Sequence, residues 1–430
     1  MMPTGGTSRP VFAAALIAAL LVGLLGGYLA AGATGGGLNT VTVTREVART
    51  VELRTTLTEH LIQTVTLTRE LPVTVTRTET QLVEKREPEV KYAKLFSIER
   101  GDGYTLLRDG LNRTVLLVKR GQSAPQNVKA DLVVQVPVER MVLMSATHVA
   151  LVERLREYAP DIWERVAGIM WGRSYQWFFP EVERRFADGK LVDVGAAWSP
   201  DYEKLIALKP DLVMIYTFEG DPVRSKLEEL KVPYVVNSEY LENTLLGWFE
   251  WIKFVAAFFG LDEVGARVFR LVELRYQLIS TKVSASMATL NIKPVKVAWF
   301  SVYKGTVYVA GGLSFVANSI YDLNAVYAFS DLKVTGSRQV SLEEFVARAR
   351  DADVLVLSTD LIQSLEALTN EIPQVAEFKA IREGRVYRFN SNIYQLGYMD
   401  TEGWFLDLAS MLYPELFPDH THSYFVALKA

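Results

Sequence analysis

The chain has 430 residues, a formal net charge of -4 and no cysteine. This length suits two globular lobes with extensions better than one average domain. The slightly negative charge, without a dense stripe of Lys and Arg, argues against nucleic-acid binding. The lack of cysteine excludes disulfides, thiolate metal sites, iron–sulfur clusters, a cysteine nucleophile and a lipid-modified cysteine within this sequence.

Residues 1–37 are predicted to anchor the chain in a membrane. Residues 11–33 are uncharged and apolar or glycine, and Arg9 precedes them. Their length is close to the roughly 20 residues that span a bilayer, which favours an uncleaved signal anchor. A cleaved signal peptide is the alternative, since Ala31-Gly32-Ala33 offers small residues for cleavage. Both interpretations export the chain, so we expect it on the extracytoplasmic face of the cell membrane.

Residues 38–90 are rich in Thr, Val, Arg and Glu, and the stretch from Thr40 to Glu46 recurs from Thr64 to Glu70. Alternation of period two favours strands, whereas the leucines from Leu53 to Leu61 recur at helical spacing. We interpret this segment as a stalk between membrane and folded body. An oligomerising coiled coil or β-layer is the alternative.

Globular composition begins at residue 91. Three alternating segments separated by glycine turns predict a small β element over residues 91–135. A first lobe follows over residues 136–242. Its predicted strands alternate with helices, which is typical of a parallel sheet built from β-α-β units. The apolar run from Leu212 to Tyr216 has the composition of a strand covered on both faces.

Residues 243–290 are compatible with helix, with a break near Gly260, and predict the long helix that joins two lobes. The second lobe, residues 291–430, begins with a strand over 293–300 and ends with a helix near 402–412. The predicted fold class is therefore α/β, with two parallel-sheet lobes, one interlobe helix and a ligand cleft between the lobes. Gly311-Gly312 lacks the residues of a phosphate-binding loop and predicts a tight strand-to-helix turn.

Four motifs in this order carry a family resemblance: a strand and helix from Arg140 onward, Gly195 followed by Leu-Lys-Pro-Asp-Leu-Val, Val-Ser-Leu-Glu-Glu-Phe from Val340, and Lys-Ala-Ile-Arg-Glu-Gly-Arg-Val-Tyr from Lys379. Over residues 136–425 the chain resembles the ABC-transporter substrate-binding proteins of the ferric-siderophore and cobalamin type. The resemblance implies a receptor that holds a small-molecule chelate and delivers it to an ABC permease and its ATPase.

In that family one glutamate of each lobe docks onto arginines of the permease. The motif match places these glutamates at Glu203 and Glu343, with Glu344 as a competitor for the second position. An exposed carboxylate can meet a guanidinium in bidentate geometry. The alternative for each is a solvated carboxylate that favours the positive end of its helix.

Ligands of two-lobed α/β clamps meet the loops at the carboxyl ends of the strands. Those loops are rich in aromatic and cationic side chains, which suit a bulky, conjugated ligand. A ferric siderophore, haem or cobalamin fits this description as ligand, and no resident cofactor is expected. For the aromatics, packing beneath a loop is the alternative. The predicted ligand-binding residues are Thr147, His148, Trp171, Arg173, Tyr175, Trp198, Tyr303, Lys304 and Tyr394.

His148 has two interpretations, a metal or haem-iron ligand or a hydrogen-bonded side chain. The sequence has only four histidines, so a bare-metal clamp lacks ligands from the second lobe. A Zn/Mn or haem binder of the same architecture and an exported structural or adhesive protein remain the alternative functions. No nucleophile with its base, and no paired-carboxylate motif, stands out. We therefore expect a binding protein and not an enzyme.

Overall fold

The computed structural model describes residues 41–44, 76–79 and 89–429, apart from residue 219. Val41–Thr44 (β1) and Thr76–Glu79 (β2) pair antiparallel in the unit formed by residues 1–86. The predicted anchor, residues 1–37, and most of the predicted stalk lie outside the described residues. Within the described part of the chain, no helix is long and apolar enough to cross a membrane.

A four-stranded sheet comes first in the unit that begins at residue 87. Its strands are Ser97–Gly101 (β3), Tyr104–Arg108 (β4), Thr114–Lys119 (β5) and Leu132–Val136 (β6). The pairs β3–β4 and β4–β5 are antiparallel, and β5 pairs parallel with β6. The sheet corresponds to the small β element that the sequence predicts, with β6 as an additional strand.

The first lobe is built on a five-stranded parallel sheet, as predicted. The strands that follow β6 are Met141–Leu143 (β7), Val166–Ile169 (β8), Val192–Asp193 (β9), Gly195–Ala196 (β10), Ser199–Pro200 (β11), Leu212–Ile215 (β12) and Tyr234–Val236 (β13). The order in the sheet is β13-β12-β7-β8-β9, and β10 pairs only with β11. All four residues of β12 are buried, because helices cover both faces of a sheet with this connectivity.

Short polar caps begin most helices of the first lobe. The helices are Ala146–Arg156 (α1), Pro180–Ala187 (α2), Tyr202–Ala207 (α3) and Pro222–Glu229 (α4). The Ser145 hydroxyl accepts a hydrogen bond from the backbone N–H of Thr147, and the Asp201 carboxylate accepts one from Lys204. These side chains satisfy N–H groups that have no partner inside the helix.

Two helices, rather than the single predicted one, connect the lobes. They are Leu245–Phe258 (α5) and Asp262–Leu290 (α6), and they pack against each other. The chain turns between them at Gly260, whose φ of 66° lies in the left-handed region that glycine adopts without steric cost. The expected break near Gly260 is therefore a complete helix end, and the prediction of one long helix was wrong.

The second lobe contains a seven-stranded sheet. Its strands are Lys296–Tyr303 (β14), Thr306–Ala310 (β15), Val326–Tyr327 (β16), Ser337–Val340 (β17), Val354–Leu357 (β18), Val386–Phe389 (β19) and Phe425–Ala427 (β20). Its helices are Phe315–Asp322 (α7), Leu342–Ala349 (α8), Leu365–Glu371 (α9), Lys379–Arg382 (α10) and Thr401–Leu412 (α11), with a π-helical turn at Ile393–Gly397.

This second sheet is mixed, which corrects the prediction of a parallel sheet. The order is β17-β15-β14-β18-β19-β20, with β16 beside β14. The strands β15, β17 and β20 run antiparallel to their neighbours, whereas β14, β16, β18 and β19 are parallel. A two-residue turn at Lys304 and Gly305, with φ of 49° and 73°, returns the chain beside β14. Two positive φ values in succession are typical of a tight hairpin turn.

The turn predicted at Gly311-Gly312 is present between β15 and α7. A Cβ atom added at Gly311 would lie 2.1 Å from the backbone oxygen of Val334, and one at Gly312 would lie 2.5 Å from that of Ser330. Backbone therefore approaches backbone too closely here for any side chain.

Two buried carboxylates hold the segment by which the chain enters this unit. The carboxylate of Glu250 on α5 accepts hydrogen bonds from the backbone N–H groups of Lys91, Tyr92 and Ala93 at 2.6–2.9 Å. Glu242, just before α5, accepts from Lys94 and Leu95 in the same way. Buried ionised acceptors need such partners, and bonds to them are stronger than neutral ones.

Replacing Glu250 with Gln should destabilise the fold, because the amide NH2 cannot accept the N–H groups that it would face. We expect Glu250→Gln to lower the free energy of unfolding by about 2–4 kcal/mol, measured by urea denaturation. The control is Glu229→Gln, whose carboxylate is exposed and pairs with Lys226. It should change the free energy of unfolding by less than about 0.5 kcal/mol. Equal effects of the two substitutions would contradict this account.

Candidate functional site

A cavity of about 290 Å³ lies where β15, β18 and β19 end, between these strands and the helices α5 and α11. Of its 19 lining residues, eight are aromatic and none is charged. The aromatic residues are Tyr240, Trp248, Trp299, Phe315, Phe389, Tyr394, Tyr398 and Trp404. An apolar concave site with a few polar groups is the usual form of a small-molecule site.

Strand alternation explains how Trp299 reaches the cavity from the middle of β14. Successive side chains of a strand point to opposite faces. Phe300 accordingly packs on the other face against Phe345 of α8, with ring centroids 4.5 Å apart. On the cavity side, Trp299 lies 5.7 Å from Phe389 and 5.9 Å from Trp404, measured between ring centroids.

The π-helical turn Ile393–Gly397 and the residue after it complete the wall. Tyr394 packs edge-on to Phe389, and Tyr398 packs edge-on to Trp248 with ring centroids 4.3 Å apart. Burial, together with the nearby Asp360 and Tyr175, raises the pKa of Tyr394 to about 12. Its hydroxyl is therefore neutral and can donate a hydrogen bond at physiological pH.

The same turn joins the two lobes through Gln395. Its side-chain amide donates to the backbone oxygen of Gln176 at 2.7 Å and accepts from the backbone N–H of Phe178 at 2.8 Å. Gln395 is only 1% exposed, so both halves of its amide find partners in the other lobe. Further along, Arg154 of α1 pairs with the buried Glu402 of α11 at 2.7 Å.

Tyr394 is the one residue, among the nine predicted ligand contacts, that lines this cavity. Three others gather in the first lobe, at the strand ends where they were expected. Trp171 packs edge-on to Trp198 with ring centroids 4.5 Å apart, and it stacks on Tyr175 at 6.2 Å. We call these three side chains the first-lobe aromatic cluster. Trp198 is 52% exposed, so the cluster has an open face.

The backbone at Trp171 explains the exposure of this cluster. Trp171 has a φ of 64° and Gly172 a φ of 43°, so the chain reverses directly after β8. A Cβ atom at Gly172 would lie 2.0 Å from the carboxyl group of Asp193, which leaves room only for glycine. Arg173 lies in the following 3₁₀ turn, Gly172–Ser174.

Thr147 and His148 lie at the start of α1, where Thr147 is partly buried and His148 is fully buried. The hydroxyl of Thr147 donates to Oε1 of Glu239 at 2.5 Å. His148 is fully buried, neither ring nitrogen has a hydrogen-bond partner within the described residues, and Nε2 lies 3.9 Å from Oε2 of Glu239. Burial lowers the pKa of His148 to about 3, so the ring is neutral at physiological pH. No group of three His, Asp or Glu side chains suited to a metal ion occurs in the described part of the chain.

Glu239 is the residue of this region that the sequence reasoning did not identify. It follows β13 and is 2% exposed. Burial raises the pKa of its carboxyl to about 7, and the Thr147 hydroxyl only partly offsets this effect. The sequence signal was its position directly after a predicted strand, but its burial depends on contacts with α1.

Tyr303 and Lys304 form the tip of the β14–β15 hairpin, where Tyr303 is 59% exposed. Neither residue lines the cavity. The structure accordingly places them apart from the site that contains Tyr394, and their contact with a ligand stays a prediction.

The two predicted docking glutamates are both exposed in the first turn of a helix, Glu203 in α3 and Glu343 in α8. Glu344, the competitor for Glu343, differs because its carboxylate pairs with Arg348 at 2.9 Å. Glu343 therefore keeps the more available carboxylate of the two.

A family profile described as periplasmic binding protein matches residues 167–393. The chain also shares 34% identity over 330 residues with a protein of Methanocaldococcus jannaschii named an uncharacterized lipoprotein, covering 75% of this chain and 78% of that one. The chain belongs to the periplasmic binding protein family.

Members of this family, which includes ferric-siderophore, cobalamin and haem binders, carry ligands to ABC permeases and are not enzymes. The predicted family and the predicted lack of enzymatic activity are thereby confirmed. Because proteins of this family act outside the cytoplasm, this chain is an extracytoplasmic binding protein.

Two solved structures of such proteins share the fold. The periplasmic haem-binding protein RhuT of Roseiflexus sp. RS-1, in its apo form, is 22% identical, with a TM-score of 0.51 over 65% of this chain and 99% of that chain. The molybdate periplasmic binding protein MolA of Haemophilus influenzae is 17% identical, with a TM-score of 0.53 over 73% of this chain and 93% of that chain.

The raised pKa of Glu239 predicts a pH dependence of folding. Between about pH 4.5 and 7 the folded protein keeps a proton that the unfolded chain has released, so rising pH weakens folding across this window. His148 acts in the opposite direction below about pH 6.5, because its folded pKa is lowered. Comparison with Glu239→Gln isolates the glutamate, since both proteins retain His148.

We expect the free energy of unfolding of the native protein to fall, relative to that of Glu239→Gln, by about 3 kcal/mol between pH 4 and pH 8. Urea denaturation at several pH values measures the difference. A difference between native and Glu239→Gln that does not vary with pH would refute the assignment.

Proposed function

We propose that this binding protein captures a bulky metal chelate (a ferric siderophore, haem or cobalamin) and delivers it to an ABC permease on the extracytoplasmic face of the membrane. The aromatic cavity between α5, α11 and the second sheet is the observation that carries this proposal. Large aromatic side chains offer flat apolar surface with little rotamer entropy to lose, which suits a large planar or ring-shaped ligand.

The cavity and the first-lobe aromatic cluster together supply two faces for such a ligand. The volume of about 290 Å³ is near the lower end of ligand pockets and admits part of a chelate of this size. Gln395, the residue after Tyr394, donates to the backbone oxygen of Gln176, the residue after Tyr175, so the cluster and this wall of the cavity lie near each other. We assign the cavity to one part of the ligand and the exposed faces of Trp171 and Trp198 to the remainder.

The two relatives of known ligand suggest different chemistries, a haem and an oxyanion. A lining with eight aromatic residues and no charge supports the chelate, because a bare oxyanion requires charged or densely packed donors to replace its water. A bare-metal clamp finds no set of three ligands within the described residues, and His148 does not line the aromatic cavity.

Ligand binding is tested by titrating the intrinsic tryptophan fluorescence of the protein with hemin, ferrichrome, ferric enterobactin, cyanocobalamin, ZnCl2 and MnCl2. We expect saturable quenching by at least one chelate or corrinoid, and Tyr394→Ala and Trp198→Ala should each weaken binding about tenfold or more. The control is Tyr158→Ala, which removes an exposed aromatic ring stacked by Arg267 and absent from the cavity wall. Quenching by the two metal salts alone would refute the proposal.

Delivery is tested separately by the ATPase activity of the cognate permease complex in proteoliposomes. Neutralising a docking carboxylate removes a charge pair with the permease. We expect Glu203→Gln and Glu343→Gln each to raise the binding-protein concentration for half-maximal stimulation about fivefold, with ligand affinity unchanged. Glu344→Gln is the matched control, because its carboxylate is already paired with Arg348. A larger effect of Glu344→Gln than of Glu343→Gln would reverse the assignment.

A further inference from the structure

We infer that the cavity selects an electroneutral ligand group that presents a hydrogen-bond acceptor to the indole N–H of Trp248. This inference rests on the proposed function and concerns the charge of the chelate, which neither the family nor the two relatives determine. Two features of the cavity support it: the lining and an unpartnered donor in its wall.

The first feature is the lining itself. Its polar members are hydroxyl groups, carried by Ser314, Thr335, Ser337, Ser358 and Thr401 in addition to the tyrosines. Hydroxyls can solvate a neutral polar group, but they do not compensate for the dehydration of a multiply charged anion. Several are already engaged, since Thr401 bonds the backbone of Tyr398 and Ser314 caps α7.

The second feature is Trp248. This residue lies on α5, lines the cavity and is 2% exposed, and its Nε1 is buried with no hydrogen-bond partner. Among the residues that line the cavity, it is the only one with a buried side-chain nitrogen or oxygen left without a partner. Indole nitrogen is a donor only, so the group that satisfies it must be an acceptor.

An uncharged chelate with outward carbonyl oxygens meets both conditions. Ferric trihydroxamates have this chemistry, because three deprotonated hydroxamates neutralise Fe³⁺ and amide oxygens surround the metal core. Ferric tris-catecholates carry three negative charges on an otherwise similar core. The two classes therefore differ in the property that the cavity distinguishes.

The experiment measures affinities of the full-length protein by tryptophan quenching for two uncharged ligands, ferrichrome and cyanocobalamin, and two anionic ones, ferric enterobactin and hemin. We expect the tightest binder to be an uncharged ligand, with an affinity about tenfold or more above that of the better anionic ligand. If the tightest binder is anionic, this inference is overturned and the proposed function stands. If none of the four binds, the proposed function fails together with the inference.

Two variants, Thr335→Lys and Trp248→Phe, test the uncharged lining and the indole donor. Thr335→Lys adds an ammonium group to the cavity wall and should shift the ratio of affinities toward the anionic ligand by about tenfold. Gln339→Lys is the matched control, because it adds the same charge to an exposed site that does not line the cavity. An equal shift in both variants would show that overall charge, and not the cavity, sets the preference.

Trp248→Phe removes the donor and keeps an aromatic ring. We expect it to weaken binding of the preferred uncharged ligand about fivefold or more, with less effect on a ligand that has no acceptor on its buried face. Circular dichroism and the urea midpoint confirm that the variant folds. Unchanged affinity in a folded Trp248→Phe variant would remove Trp248 from the inference.

Discussion

The two hydrogen bonds of the Gln395 amide fix the relation between the lobes at the cavity. The amide bonds the backbone on either side of Trp177, and its own turn carries Tyr394 into the cavity wall. Because a buried amide must satisfy both its donor and its acceptor, the two hydrogen bonds of Gln395 form together in only one alignment of the two segments. The position of the first-lobe aromatic cluster relative to the cavity depends on this alignment.

The site therefore has two parts with different chemistry. The second lobe contributes an enclosed, uncharged aromatic wall, and the first lobe contributes the open ring faces of Trp171 and Trp198. The charged residues predicted to act at the surface, Glu203 and Glu343, lie on separate helices and are absent from the cavity lining. Under the proposed function, ligand recognition and partner recognition rely on different residues, so each can change without the other.

Local patterns in the sequence predicted most elements of the fold. The buried strand over Leu212–Ile215 and the turn at Gly311 depend on neighbouring residues, and both are present. The mixed second sheet was not predictable in this way, because strand direction depends on pairing partners distant in sequence. For the same reason Trp299 and Trp404 were missed, since each resembles an ordinary core residue until β14 and α11 are brought together.

Helix α5 connects the wall of the cavity with residues 91–93, which are distant from the helix in sequence. Trp248 faces the cavity, and Glu250, two positions later, binds the backbone of residues 91–93. Two positions correspond to about 200° around a helix, so these side chains project from nearly opposite sides. Tension applied to the chain at residues 91–93 is therefore transmitted across one helix, a distance of about 10 Å, to the wall of the cavity. The cavity wall and the segment by which the chain enters this unit therefore share a single helix.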